Sequence, residues 1–357
     1  MLHEELSFLT NNYFNQDKVL AWHEIPPQDE PFVLAWTEYI NDIEKLGVLE
    51  ALRSRLVQLN FPVEPGMSSN SDYQIATRRG IYNTAKKTAA GIILEEPVAL
   101  TVYLYETMAG RIPVMETNNR NDFETLVRTF AHRNEPVAIP PSMGACMIKG
   151  YNNWDRVAQY KLKCGTSFDF NHMKEHKELY QDTFLIVTNA EYSGVPAQML
   201  RLTGDEWRKL SLVIRLEHEA THYFTLRFLG SARNHLLDEF IADYMGIVAA
   251  IGKYRADWFL CFMGLEKYPA FRSGGRLTNY LKNIELSDEA FNHLKSYVKS
   301  AAENLENIGD NFNHTYSAPG RYEMLLKLTQ TNLIDLATKD FEQGLKFKGG
   351  DASPGGE

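Results

Sequence analysis

Residues 217–230 read EHEATHYFTLRFLG and contain the pattern His-Glu-x-x-His, with His218 and His222 at its ends and Glu219 after the first histidine. On an α-helix, residues four positions apart lie on one face, so the two histidines project together. Two imidazoles at this spacing can bind one zinc ion, and the adjacent glutamate can take a proton from a metal-bound water. The stretch therefore predicts a helix that carries a zinc site.

The helix that contains this pattern has its own start and end signals. Residues 203–206, Thr-Gly-Asp-Glu, have the spacing of a capping box, and Gly230 suits a C-terminal cap. The helix face that points away from the histidines is apolar, and an apolar face is buried against a core. We therefore expect a long, central and buried helix that ends at Gly230.

A third metal ligand is needed, because a catalytic zinc site has three protein ligands and one open position. Residues 234–250 read NHLLDEFIADYMGIVAA, in which Glu239 and Asp243 are four positions apart on a second predicted helix. One carboxylate that binds the metal and a second that accepts a hydrogen bond from a metal-bound histidine fit this arrangement. The two helices together therefore indicate a metal centre.

This combination resembles the gluzincin metallopeptidases, the thermolysin-like and Ste24-type zinc peptidases in which a His-Glu-x-x-His helix is followed by a Glu-x-x-x-Asp helix. The resemblance is limited to residues 215–246, and it implies a zincin-like fold. It also implies individual roles: His218, His222 and Glu239 as zinc ligands, Glu219 as the general base, and Asp243 as the hydrogen-bond partner of His218.

The rest of the sequence predicts an α+β protein, with a mixed α/β N-terminal half, a mainly α-helical C-terminal half and the active-site helix between them. Alternating apolar segments predict strands, and apolar residues three or four apart predict helices. We divide the chain into four segments: an N-terminal helical segment (1–65), a mixed α/β region of unassigned role (66–180), a zincin-like metallohydrolase region (181–345) and a Gly-rich disordered tail (346–357).

Individual elements can be predicted within the mixed region and just after it. Strands are expected at 98–106 and 111–117, and a helix at 121–133. Residues 135–157 are rich in Pro, Gly and Asn, which predicts an ordered loop system. A further strand at 183–188 is expected to present an edge along which an extended peptide can lie.

Composition and charge exclude several classes of protein. The formal net charge is -9, with 37 Lys and Arg residues against 46 Asp and Glu, which argues against a nucleic-acid partner. The N-terminus is acidic where a signal peptide is basic, and no apolar stretch approaches the roughly 20 residues of a membrane span. The three cysteines form no CxxC pair. We therefore expect a cytoplasmic protein without a membrane span.

Hydrolysis at such a zinc site also needs a group that stabilises the oxyanion. Residues 312–325 read FNHTYSAPGRYEML and offer His314, Tyr316 and Arg321. Arg276 and Tyr280 are rival candidates upstream. All five are residue types that can donate a hydrogen bond to a developing negative charge.

Two arginines are candidates for binding a substrate carboxylate. Arg321 is also the last of the oxyanion candidates, and Arg215 lies one helical turn before the first histidine of the pattern. A second histidine pair, His172 and His176, is also four positions apart, but it lies in a highly charged stretch without a third ligand. It is interpreted as a solvated helix face.

These features predict a zinc-dependent metallopeptidase that hydrolyses peptide bonds. Two alternatives fit the same motif: a zinc hydrolase of a small amide or biosynthetic intermediate, and a non-catalytic regulatory protein in which the fourth metal position is blocked. The expected cofactor is zinc (Zn²⁺), although two histidines and a carboxylate also accept iron, manganese or cobalt.

Overall fold

The computed structural model describes residues 2–82, 91–231, 235–281, 284–311 and 316–338. The predicted tail (346–357) and the oxyanion candidate His314 lie outside the described residues. The strands are β1 (Thr101–Thr107), β2 (Gly110–Glu116), β3 (Ala145–Asn152) and β4 (Gln181–Val187). The α-helices are α1 (Leu2–Thr10), α2 (Phe32–Leu46), α3 (Val48–Arg55), α4 (Ser71–Arg79), α5 (Arg120–Ala131), α6 (Trp154–Cys164), α7 (Phe170–Glu175), α8 (Gly204–Leu229), α9 (Leu236–Ile251), α10 (Ala256–Met263), α11 (Asp288–Asn311), α12 (Ala318–Leu328) and α13 (Leu333–Leu336).

The predicted α+β class is confirmed. The four strands form one sheet in the order β1-β2-β4-β3, in which only β2 and β4 are parallel neighbours. β1 and β2 form an antiparallel hairpin at the two strands predicted around 98–117, and α5 occupies the predicted helix at 121–133. Within the described ranges, no helix combines the length and the apolar composition that a membrane crossing needs.

Two predictions about the sheet are wrong. Residues 135–157 contain the strand β3, which the sequence analysis interpreted as part of a loop system. The pairing of β3 with β4 changes register between Ile148 and Tyr151, and Gly150 between them has a φ of 66°. Such an irregularity interrupts the alternation of apolar and polar residues by which strands are recognised in a sequence. The strand predicted at 183–188 is β4, which lies between β2 and β3 and presents no edge.

The chain forms two compact units, residues 19–228 and residues 1–18 with 229–357. The sheet, α2 to α7 and almost all of α8 belong to the first unit. In the second unit, α1 packs against α9 and α11, and the Asn12 side chain donates to the carbonyl oxygens of Thr329 and Thr331, at 2.6 Å each. These contacts hold the N-terminal residues in the same unit as α9 and the C-terminal helices.

A buried polar network joins α2, α6 and the start of β4 in the first unit. The carboxylate of Asp182 is fully buried and accepts hydrogen bonds from Nε1 of Trp36 at 2.9 Å and Nδ2 of Asn153 at 2.7 Å. It also pairs with the buried guanidinium of Arg156 at 2.5 Å. Because a buried charge is tolerated only when it is paired and hydrogen-bonded, this network specifies how the two helices meet the strand.

Removing the carboxylate should therefore destabilise the protein strongly. Asp182→Ala leaves the Arg156 guanidinium buried without its counter-charge, and we expect the free energy of unfolding to fall by about 3–5 kcal/mol. Asp205→Ala is the matched control, because Asp205 is exposed and pairs with the exposed Arg208; its loss should cost less than about 1 kcal/mol. Urea denaturation followed by circular dichroism measures both, and equal effects would contradict the role given to Asp182.

Candidate metal centre

The His-Glu-x-x-His pattern lies in α8, which begins at the predicted capping box. The backbone N–H of Glu206 donates to Oγ1 of Thr203 at 3.3 Å, and the Glu206 carboxylate accepts from the backbone N–H of Thr203 at 3.0 Å. The helix ends at Leu229, and Gly230 follows with a φ of 66°, a left-handed conformation that favours glycine. The predicted helix and both of its ends are confirmed.

The imidazoles of His218 and His222 face each other on this helix. Both side chains are buried, and their Nε2 atoms lie 3.1 Å apart. The rings meet nearly edge to face, at an interplanar angle of 80°. If each nitrogen lies about 2.0–2.1 Å from one zinc ion, a separation of 3.1 Å corresponds to an angle of about 100° at the metal. This angle is close to tetrahedral, as zinc prefers.

The third predicted ligand, Glu239, lies in the first turn of α9. Its carboxylate accepts a hydrogen bond from the Tyr280 hydroxyl at 3.2 Å. Glu239 belongs to a different compact unit from the two histidines, and its binding to the same ion stays a prediction. Two imidazole nitrogens and one carboxylate oxygen are the donor set of a zinc site that keeps one position open, so the residues present fit the expected ion.

Glu219, the candidate general base, is half-buried on α8 near the strand β3. Burial, with a smaller contribution from the Glu219 charge, raises the pKa of the Cys146 thiol on β3 to about 12. Cys146 therefore stays protonated at neutral pH and is not a reactive thiolate. Just before β3, a Cβ atom on Gly144 would lie 2.5 Å from the Arg215 guanidinium. β3 and the residue before it therefore pass close to two residues of α8, Arg215 and Glu219.

The outer nitrogen of His218 contacts a residue that the sequence analysis did not single out. Its Nδ1 lies 2.8 Å from the hydroxyl of Tyr192, and both side chains are buried. The gluzincin resemblance implies Asp243, not a tyrosine, as the hydrogen-bond partner of His218. Tyr192 comes 26 positions before the histidine, in a turn without periodic pattern, so no sequence signal marks it.

Asp243 is fully buried and forms an ion pair with Arg276. Arg276 and Tyr280 lie on one short 3₁₀ helix, Arg276–Leu281, and their four-residue spacing matches that of the two carboxylates they contact on α9. The two rival oxyanion candidates therefore contact Asp243 and Glu239. The predicted bond from Asp243 to His218 stays a prediction.

Arg215, the first substrate-binding candidate, binds the protein backbone. Its guanidinium is buried and donates to the backbone carbonyls of Thr188 and Ala190, the second at 3.0 Å. A guanidinium that is packed against backbone carbonyls in this way cross-links α8 to the segment after β4. The role of Arg215 in substrate binding stays a prediction.

The remaining candidates lie near Tyr244, the residue after Asp243 on α9. The Tyr316 hydroxyl packs so closely on Gly309 of α11 that a Cβ atom there would lie 1.7 Å from it. Burial raises the pKa of Tyr244; the nearby Tyr316 raises it further, and the Arg321 charge opposes the rise. Both residues therefore lie close to the Tyr244 hydroxyl, and their roles in oxyanion and substrate binding stay predictions.

The second histidine pair differs from the first in burial and in its partners. The His172 and His176 rings are 4.4 Å apart, and Nδ1 of His176 lies 3.0 Å from the carboxylate of the exposed Glu178. His172 is exposed as well. The pair is accessible to solvent, as predicted, but α7 ends at Glu175 and His176 is the capping residue after it, so the two histidines do not lie on one helix face. The pair provides a control for the metal experiments.

Comparison with known proteins gives one match. A family model described as a family of unknown function (DUF7005) matches residues 2–340. No curated protein and no solved structure matches the chain. The family match covers the sheet, α8 and α9.

The facing imidazoles of His218 and His222 predict metal binding at one site. The purified chain should contain about one zinc ion per molecule by elemental analysis. His218→Ala removes one of the two facing nitrogens, and we expect zinc affinity to fall by at least about 100-fold, more than loss of an outer hydrogen-bond partner costs.

His172→Ala is the matched control, because it removes a histidine from the exposed pair of identical spacing. It should leave both the zinc content and the zinc affinity unchanged. Loss of zinc in His172→Ala, with zinc retained in His218→Ala, would show that the metal binds at the exposed pair. That result would contradict the proposed site.

Proposed function

The chain belongs to the DUF7005 family, a family of unknown function, and we propose that it is a zinc-dependent metallopeptidase in which Glu219 is the general base. The observation that carries the proposal is the 3.1 Å approach of the Nε2 atoms of His218 and His222 on the helix that also holds Glu219. Glu239 on the next helix would complete the set of two imidazoles and one carboxylate that a catalytic zinc ion takes.

Each site residue then has a definite task. His218, His222 and Glu239 would hold the ion, which when bound acidifies a coordinated water and polarises the substrate carbonyl. Glu219 accepts the proton of the attacking water and passes it to the leaving amine nitrogen. Its half-buried position suits both steps, because the carboxylate stays accessible to water while its surroundings strengthen electrostatic interactions.

A peptide substrate is favoured by the strand that passes the general base. In the described residues β3 is an edge strand of the sheet, so one of its sides has no strand partner there. An extended peptide can add to such an edge through main-chain hydrogen bonds. The effect of Glu219 on the pKa of Cys146 places the carboxylate near this strand. A small-amide hydrolase would not require an edge strand at this position.

The proposal predicts that binding and turnover can be separated. Glu219→Gln keeps the size of the side chain and removes its basicity, so zinc should stay bound while the rate of peptide hydrolysis falls by about 10²–10⁴-fold. The measurement is cleavage of a quenched fluorescent peptide library by the zinc-loaded chain, together with the zinc content of each sample.

Glu217→Gln is the matched control on the same helix. Glu217 accepts a hydrogen bond from the Tyr105 hydroxyl, which a glutamine oxygen also accepts, and activity should stay near that of the wild type. Full hydrolysis by Glu219→Gln would refute the mechanism. Cleavage of small amides but of no peptide would support the narrower hydrolase, and zinc binding without any turnover would support a regulatory metal site.

A further inference from the structure

Both ring nitrogens of His218 have a neighbour within hydrogen-bonding distance. Nδ1 lies 2.8 Å from the Tyr192 hydroxyl, and Nε2 lies 3.1 Å from Nε2 of His222. A tyrosine hydroxyl can donate one hydrogen bond and accept others, whereas an ionised carboxylate only accepts. The phenol can therefore partner Nδ1 in either neutral tautomer of the ring, whereas an ionised carboxylate partners only the tautomer with a proton on Nδ1.

We propose that Tyr192 is a positioning residue that satisfies the His218 ring in both the metal-free and the zinc-bound state. The inference rests on the zinc site of the proposed function, but not on the hydrolysis of peptides.

In the metal-free state, the Tyr192 hydroxyl donates to Nδ1 of His218, and the proton on Nε2 of His218 is donated to Nε2 of His222. With zinc held by the Nε2 atoms of both histidines, the His218 proton would be on Nδ1, and Nδ1–H would donate to the phenol oxygen. The ring loses a proton from Nε2 and gains one at Nδ1 through exchange with water, so its proton count does not change.

Tyr192 is held rigidly enough to perform this task. Its backbone N–H donates to Oγ of the buried Ser211 at 3.0 Å, and the Arg215 guanidinium lies 5.5 Å from its ring centroid. Arg215 also binds the backbone carbonyls of Thr188 and Ala190, just before the tyrosine. Two successive turns of α8 therefore hold the backbone and the ring of Tyr192 beside His218.

The chain after Tyr192 has an unusual backbone conformation. Ser193 is buried and has a φ of 56°, and Gly194 has a φ of 63°. A left-handed serine is unfavourable and persists where the surrounding contacts determine the conformation. Nε1 of Trp207, at the start of α8, donates to the Val195 carbonyl at 2.7 Å and anchors the far side of this turn. The turn and the helix together specify the place of the phenol.

The test is the zinc affinity of Tyr192→Phe, measured by competition with a fluorescent zinc chelator. The substitution keeps the ring, its contact with Arg215 and the backbone bond to Ser211, and it removes only the oxygen at Nδ1. We expect the Kd for zinc to rise about 10–100-fold, the effect that loss of an outer hydrogen-bond partner has at other metal sites.

Tyr223→Phe is the matched control. Tyr223 is buried on α8 directly after His222, and its hydroxyl donates to the carboxylate of Glu30 at 2.6 Å. Loss of the Tyr223 hydroxyl should lower the stability of the protein and leave the Kd for zinc within twofold of the wild type. A Kd within twofold for Tyr192→Phe, or an equal rise in both variants, would overturn the inference.

The tautomer of His218 supplies a readout that a merely structural tyrosine would not change. In the ¹⁵N-histidine-labelled wild type, the His218 signals, assigned by their loss in His218→Ala, should show the proton on Nε2 without zinc and on Nδ1 with zinc. An unchanged tautomer would overturn the proposal. If zinc binds and the tautomer changes but no peptide is cleaved, the peptidase proposal fails and this inference stands.

Discussion

The site depends on the approach of two buried imidazole nitrogens, Nε2 of His218 and Nε2 of His222, to 3.1 Å on one face of α8. Two neutral nitrogens cannot face each other at this distance with both lone pairs unshared, so either a proton or a cation lies between them. Both rings are buried, and a buried polar atom without a partner is costly. The roles proposed for Glu239, Tyr192 and Glu219 all depend on this pair.

One side of α8 both presents these nitrogens and holds the chain that supports them. Trp207, Ser211 and Arg215 follow each other at four-residue intervals, and each bonds the backbone of the segment between Thr188 and Val195. His218 continues this row by its contact with the Tyr192 hydroxyl. Residues at these spacings share a helix face. The face of α8 that carries the two histidines therefore also holds the Tyr192 hydroxyl beside His218.

The sequence predicts well what depends on local periodicity, and poorly what depends on long-range contacts. The capping box and the two histidines of α8 follow from residue spacing, and so do the strands of the β1-β2 hairpin. β3 was missed because Gly150 and the register change break its alternation, and the central place of β4 depends on pairing that no local pattern records. Tyr192 could not be found either, since its role arises only when the turn after β4 reaches α8.

We propose that His218, His222 and Glu239 bind one zinc ion, and anomalous diffraction at the zinc absorption edge can locate that ion. Crystals of the zinc-loaded wild-type chain should show a single strong anomalous peak about 2.0–2.1 Å from Nε2 of both histidines and about 2.0–2.2 Å from a Glu239 carboxylate oxygen. A peak at the exposed histidine pair, or no peak near α8 in crystals grown with excess zinc, would contradict the account.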